Sequence, residues 1–507
     1  MNKIKADDVI VSVADALQYI SYYHPPDFVK AMHAAYKRET SSAAKDTIRQ
    51  ILINSKMSAL GRRPLCQDTG IVIIFAELGI NAQFSGKYGL EDMLNKGVEL
   101  AYADLENPLR NSIVSPPYGD RKNTGDNTPA VIHTRIVAGD KLRLTIAAKG
   151  AGSENKAVYA NLNPAADIKR WVVETVGSLG SGWCPPGIIG LGIGGSPEKA
   201  MLMAKESLLE HIDIHDIIEN GPVTEDEKLR LSLYHKLNTL GIGAQGLGGR
   251  TTVLDVKLKT YPTHAASLPV ALIPNCAATR HISVELDGSG SVSLPTPDLS
   301  IWPEFAKSPK TFRKINVAEL NKSVIKELTI GETVLLSGKI ITARDAVHKK
   351  IQDILQAGGK LADYGLDFTG RLLYYVGPVT ATQGEVVGPA GPTTASRMDR
   401  YTRMMLDELK LLGMIGKAER GEKTISLIKK YGAIYFIAVG GAAYLISKSI
   451  KSAKVIAFAE LGMEAVYEFE IEDMPVTVAV DFYGNSIHQL GPQKFKATTV
   501  PRSRRGT

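Results

Sequence analysis

The sequence predicts an α/β protein built as two domains. At 507 residues the chain exceeds one comfortable hydrophobic core, and chains of this length divide. Its second half alternates apolar strand-like runs with helical ones, the pattern of an α/β domain. Between the halves, Pro295, Pro297, Pro303 and Pro309 fall close together, and such proline density marks a linker. Residues 1–300 are read as the first domain, 301–320 as the linker and 321–507 as the second domain.

Composition narrows the class. Apolar residues make up 44% and charged residues 22%, the balance of a soluble globular protein. No apolar run reaches the roughly 18 residues of a membrane-spanning helix. The start, Met1 to Asp8, has no apolar core behind a basic end and carries acids early, so the expected location is cytoplasmic. The net charge of +7 suits an anionic small molecule, and it is too dilute over this length to indicate nucleic acid. Arg502 to Arg505 reads as a solvated tail.

The first elements read as helices over residues 8–62. Asp8 is a candidate cap for the first, with Ile10, Val13, Leu17 and Ile20 as its buried stripe. Pro25-Pro26 ends it. A second helix runs from about Asp27 to Lys37, and Ser41 or Ser42 opens a third. These deliver the chain to Cys66-Gln67-Asp68-Thr69-Gly70, followed by an apolar strand, Ile71 to Phe75. Polar groups at the end of a strand, closed by a glycine, are where active sites are commonly built.

A polar stretch follows, holding Arg110 and the string Arg121-Lys122-Asn123-Thr124-Gly125-Asp126-Asn127-Thr128. Strands at Ala130–Val137 and Leu142–Ala148 are joined by Ala138-Gly139-Asp140 as a short hairpin link. The second strand leads into Lys149-Gly150-Ala151-Gly152-Ser153-Glu154-Asn155-Lys156. Its glycines and donors suit an anion held by backbone N–H groups; an ordinary turn before a helix has the same composition. Next, Gly190, Gly192 and Gly195 match a dinucleotide G-x-G-x-x-G pattern, with Glu210 near the ribose-binding position. Pro185-Pro186 compromises the strand such a motif needs, so the glycines are read as allowing close backbone approach near Cys184. Ser196-Pro197-Glu198 reads as a helix start with proline at the first position.

Residues 223–238 are helical, and a glycine-rich turn leads to a strand at Thr251–Leu258. His264 follows shortly before Asn275-Cys276. In the second half, strands are expected near 334–341, 372–376, 433–439 and 476–480, with Arg344 at a helix start. The run Gly388 to Arg397 precedes a helix whose core face is Met398, Tyr401, Met405 and Leu409. A helix N-terminus with Thr393 or Thr394 at the cap and an arginine beside it is suited to a carboxylate or phosphate; simple capping would read the same way.

Cys66, Cys184 and Cys276 are the only cysteines. Three cannot all pair, which argues against a disulfide framework. Their wide separation does not match the short pairs of structural zinc sites. Three thiolates on a cubane cluster would leave one iron without a protein ligand, free to act as a Lewis acid. Three unrelated buried cysteines remain the alternative on spacing alone, although each lies beside proline, glycine or polar residues.

Together, several motifs carry a resemblance. Cys66 to Gly70, Arg121 to Thr124 with Asp126 to Pro129, Gly192 to Ser196, and Gly391 to Ala395 with Arg397-Met398-Asp399 resemble class I fumarate hydratases in the same order over nearly the whole chain. The resemblance implies reversible hydration of fumarate to (S)-malate in the citric acid cycle. It implies a 4Fe–4S cluster on Cys66, Cys184 and Cys276, and a homodimer. It also implies an N-terminal α/β cluster-binding domain and a C-terminal α/β domain of swivel type closing over it. By motif, Thr393 resembles the catalytic base, Asp68 its acid partner and His264 an active-site histidine. Gln67, Arg110, Gly152, Arg344, Arg397 and Lys417 match substrate-binding positions, with Asn155 and Lys156 beside them. Val379 to Gln383 departs from the Lys-Thr-Pro-Glu type sequence of many members. Related enzymes act on L-tartrate or mesaconate, so those acids are alternative substrates. A nicotinamide dehydrogenase and a non-catalytic iron–sulfur regulator are the readings from other classes.

Overall fold

The computed structural model describes residues 3–305 and 312–496. Pro309 of the proline-rich stretch and the basic Arg502–Arg505 lie outside the described residues. Among the described residues no helix is long and apolar enough to cross a membrane.

The chain opens with helices Ala6–Tyr22, Pro26–Arg38 and Ser42–Gly61. Asp8 is not the first cap. The backbone of Ile4–Lys5 pairs with Phe84–Ser85, so the helix starts at Ala6 and places Asp7 and Asp8 in its first turn, where they face the positive end of the helix dipole. Pro26 does not simply stop the first helix; it is the first residue of the second. Ser41 caps the third, accepting from the Ala44 N–H. A further helix, Leu90–Tyr102, buries Met93, Leu94, Val98 and Ala101.

Among the described residues of the first half, two four-stranded sheets and a small pair, Val114–Ser115 with Lys122–Asn123, follow. One runs in the order His281–Leu286, Leu142–Lys149, Ile71–Gly79, Val131–Val137. Its antiparallel register sets Ile71 opposite Lys149, so the loops at Cys66–Gly70 and Gly150–Lys156 leave the sheet side by side. The other runs Val253–Tyr261, Gly187–Gly194, Leu268–Asn275, Val158–Leu162. Cys184 and Cys276 therefore sit at the same end of adjacent strands.

The glycine pattern at Gly190–Gly195 is not a phosphate loop. Gly187–Gly194 is a strand, buried throughout, that starts just after Pro186. Helix Pro197–Ser207 lies flat on it. A Cβ on Gly190 would stand 2.3 Å from the Ala204 carbonyl oxygen, and one on Gly192 2.0 Å from that of Ala200. Those two glycines serve helix-on-strand packing, and Glu210 pairs with Lys259 at the surface. The dinucleotide reading therefore loses its structural basis.

The second half holds one seven-stranded sheet. It begins inside the expected linker, with Arg313–Asn316 pairing along Thr333–Thr342. Thr333–Thr342 pairs on one side with Leu372–Tyr374 and on the other with Val466–Val480. Gly413–Gly416 and Ile434–Ile437 fill the interval, so the sheet closes on itself as a barrel. Alternate residues separate into two cores. Leu372, Tyr374, Ile434 and Phe436 share one with Leu336 and Val478. Leu373, Tyr435 and Ile437 share the other with Val347, Ile351, Ile425 and Ile428 of the covering helices. Burial on both faces explains the continuous apolar run at 433–439. The helix expected after Arg397 is instead a 3-10 segment, Ala395–Tyr401, and a π turn, Met404–Glu408. Arg420 and the Gly421 N–H grip Asp399 there.

Two segments tie the halves together at their ends. The connecting segment lays Trp302 against Tyr23. The last helix, Ile487–Phe495, returns to the first half, where a Cβ on Gly248 would stand 2.4 Å from the Gly491 carbonyl carbon.

Candidate active site

A cavity of about 700 Å³ lies between the two halves. Cys66, Gln67, Asp68, Arg110, Gly152, Asn155 and Lys156 line it from the first half, and Arg344, Thr393, Arg397 and Lys417 from the second. Arg121 and Asn123, from the polar string, stand on the same wall.

The Cys66 turn is fixed by its backbone. Gly70 has φ +91°, and a Cβ there would meet the Lys149 nitrogen at 2.7 Å, so the turn requires glycine. The buried Asn54 donates to both Leu65 O and Gly441 O, at 3.0 and 3.1 Å, clamping the turn to the second half. Cys184 is buried, and its carbonyl accepts from the Ala277 N–H at 3.2 Å. Its sulfur accepts from Lys417 Nζ at 3.2 Å. The Ala278 N–H points at the Cys276 sulfur at 3.4 Å. A Cβ on Gly440 would stand 2.8 Å from the Cys184 sulfur, so the second half lays bare backbone over that thiol.

The charge on Lys417 is coupled to all three free thiols. Burial would lower the pKa of Lys417, but Cys184, Cys66 and Cys276 outweigh it and hold the amine above its ordinary value. Burial pushes the Cys184 thiol up to about 11 against the pull of Lys417. Among the described residues no three His, Cys, Asp or Glu side chains close around a single metal ion. Three free cysteines do carry the soft donors that iron–sulfur chemistry uses.

Asp68 is held from several sides. Its Oδ2 accepts from the Ala151 N–H at 2.9 Å, and its carbonyl accepts from Arg280 Nη1 at 2.7 Å. Arg110 Nη2 stands 3.9 Å from Oδ1. Burial raises the Asp68 pKa, but Arg110, Arg280, Lys417 and the Ala151 N–H together bring it below the usual carboxylate value. The glycine-rich loop after Lys149 forms a short helix, Ala151–Glu154. The anion on its first N–H is the carboxylate of Asp68.

The cations face one another across the cleft. Arg110 Nη1 donates to Gly377 O at 3.3 Å. Arg344, buried at the start of helix Asp345–Gln356, pairs with Glu464 at 3.4 Å, and its Nε has no partner among the described residues. Arg397 pairs with Asp345 at 3.3 Å and is half exposed. Thr393 is buried, and its Oγ1 accepts from Gln67 Nε2 at 3.3 Å. The Lys417 N–H donates to Thr393 O at 3.1 Å, so hydroxyl and ammonium are carried by adjoining backbone.

His264 is not brought to this cavity. It lies exposed on the turn after Val253–Tyr261, where its Nδ1 accepts from the Ala266 N–H. Sequence reasoning also missed residues that hold the site. Glu419 lines the cavity and accepts from the Ser181 N–H at 2.8 Å, bracing the turn that carries Cys184. Glu464 and Arg280 were missed as well. Only Arg280, close after Cys276, had a signal in its position.

Two family models match the chain: "Fumarate hydratase (Fumerase)" over residues 10–285 and "Fumarase C-terminus" over residues 288–491. The anaerobic class I fumarate hydratase of Escherichia coli (strain K12) is 31% identical over 96% of this chain and 90% of its own length. Fumarate hydratase 2 of Leishmania major is 30% identical over 96% of this chain and 87% of its own length. A putative L(+)-tartrate dehydratase subunit alpha from Methanocaldococcus jannaschii is 35% identical over 55% of this chain and 96% of its own length. The chain belongs to the class I fumarate hydratase family and is a hydro-lyase.

Proposed function

We propose that this chain interconverts fumarate and (S)-malate in the interdomain cavity, acting as a cytoplasmic homodimer. The observation that carries the reading is the set of Arg110, Arg344, Arg397 and Lys417 around one space with the Thr393 hydroxyl among them. A small dicarboxylate brings two negative charges, and arginine forks bind carboxylates by paired hydrogen bonds.

Cys66, Cys184 and Cys276 would hold a 4Fe–4S cluster. When bound, it supplies a Lewis-acidic iron at the hydroxyl-bearing end of the substrate. The chain's own groups do the rest. Arginines fix the carboxylates, so charge that builds beside one of them during proton removal is met by donors already in place. Thr393 Oγ1 takes the proton from the substrate carbon in dehydration and returns it in hydration. The amide N–H of Gln67, aimed at Oγ1, favours the deprotonated hydroxyl. Asp68, held ionised, takes a proton from water as it adds and gives that proton back as water leaves. His264, exposed on its turn, is not among the residues that line the cavity within one chain.

The test is direct. Malate added to the anaerobically reconstituted protein should give rising fumarate absorbance. A protein with a full cluster spectrum and no turnover of any dicarboxylate would leave the regulator reading instead. The tartrate dehydratase relative supports a second substrate reading, decided by comparing kcat/KM for fumarate, mesaconate and L-tartrate.

A further inference from the structure

The loop from Gly377 to Gly388 follows the strand Leu372–Tyr374 in the second half. It is held by a residue of the other half. Arg63 is 3% exposed. Its Nε donates to Glu385 Oε1 at 3.0 Å and its Nη2 to Glu385 Oε2 at 2.9 Å. Nη2 also donates to Thr380 O at 2.9 Å, and Nη1 to Asn107 Oδ1 at 3.1 Å. Glu385 folds its own turn by accepting from the Thr382 N–H at 3.1 Å.

Neither Arg63 nor Glu385 lines the cavity, yet both lead to it. Arg63 immediately precedes Pro64-Leu65-Cys66, and Asn107 stands just before Arg110. At the start of the Glu385 loop, the Gly377 carbonyl accepts from Arg110. Arg344 packs so closely on Gly377 that a Cβ there would stand 2.4 Å from its Nη1. A two-pronged arginine–carboxylate pair fixes direction as well as distance. A buried pair of this kind is costly to break and adds little net stability over an apolar replacement, so specificity of geometry is its best-attested use.

We propose that Arg63 and Glu385 form a latch that sets Arg110 and Arg344 at the spacing the two substrate carboxylates need. Both are positioning residues for dicarboxylate affinity. The inference rests on the dicarboxylate reading of the cavity. Through the latch, Glu385 gives the 377–388 loop an ionic hold on the other half.

The test compares wild type with Glu385→Gln and the milder Glu385→Asp, all as reconstituted full chain. Glu385→Gln should raise KM for fumarate about tenfold with kcat within about twofold. The dissociation constant for (S)-malate, measured by calorimetry, should rise by the same factor. Amide exchange should quicken over 377–388. Glu385→Asp, which keeps the charge on a shorter arm, should fall between the two and covers the case in which Glu385→Gln does not fold. A lowered melting temperature with unchanged KM and unchanged malate affinity would overturn the latch. Unchanged exchange over 377–388 would overturn it too. A wild-type protein that turns over no fumarate would sink the substrate reading instead, and the exchange measurement would still decide whether the latch holds its loop.

Discussion

Gly377→Ala should disable the site without unfolding the protein. Gly377 follows the strand Leu372–Tyr374 and its backbone is in an ordinary conformation, so alanine brings no intrinsic strain. The new methyl would stand 2.4 Å from Arg344 Nη1, 3.1 Å from its Cδ and 3.3 Å from its Cζ. Unstrained contact needs roughly 3.5 Å, so the guanidinium must retreat by about 1 Å. Arg344 is buried and lines the cleft, so that retreat shifts its fork relative to the substrate. Misplacement by about 1 Å can cost on the order of 100-fold in rate, or about 2.7 kcal/mol of transition-state stabilisation. Fumarate absorbance under steady-state conditions reads kcat/KM, and a circular dichroism melt checks the fold. Arg344→Ala should then lose little more when Gly377→Ala is added, because both remove one interaction. Wild-type kcat/KM in Gly377→Ala, or losses that simply add in the double variant, would refute the reasoning.

Arg397→Lys should lower kcat/KM by about tenfold or more, about 1.4 kcal/mol, because lysine offers a point charge where arginine offers a fork; unchanged kinetics would remove Arg397 from the site. Aeration with a chelator should abolish activity, and iron with a reductant should restore it, since an iron without a thiolate is the one most easily lost; full activity after that treatment would defeat the cluster assignment. Stability should fall as the pH drops from about 6.5 towards about 4. Burial holds His348 and His281 down to about 4, so the unfolded chain binds protons first and unfolding gains as acid is added. For His348, fully buried, the loss is on the order of 3 kcal/mol. Denaturation midpoints that stay flat from about pH 7 to about pH 5 would contradict it.

What could be read in the sequence follows from how local its causes are. The alternation of Leu142, Leu144 and Ile146 and the run at 433–439 announce strands because one or two faces are buried along a single segment. The Cys66–Gly70 turn was legible because its chemistry is contiguous. Helix Leu90–Tyr102 escaped notice although Met93, Leu94, Val98 and Ala101 have helical spacing, because the polar surroundings mask a narrow stripe. The run at Gly190–Gly195 reads in the sequence as backbone room near Cys184, whereas two of its glycines admit a helix against a strand. Asn54, Glu419 and Glu464 were out of reach for another reason: each acts on a partner from a distant part of the chain. Barrel closure was equally hidden, because it depends on Val466–Val480 meeting a strand from the opposite end of the domain. His264 shows the converse, a motif position that the fold leaves at the surface.

The returning helix Ile487–Phe495 changes what the peptide link between the halves is for. With the site clamped by Asn54, by the Arg63 fork and by the Gly248–Gly491 approach, the covalent connection is not what sets the geometry. It acts as a tether that raises the effective concentration of each half near the other. A chain cut in the connecting segment would lose that local concentration while keeping every contact that shapes the cleft. Activity would become a matter of dilution: restored where the halves are abundant, lost where they are scarce. On this view fusion and fission of the two halves are neighbouring solutions to one assembly problem, separated by a concentration and not by a fold.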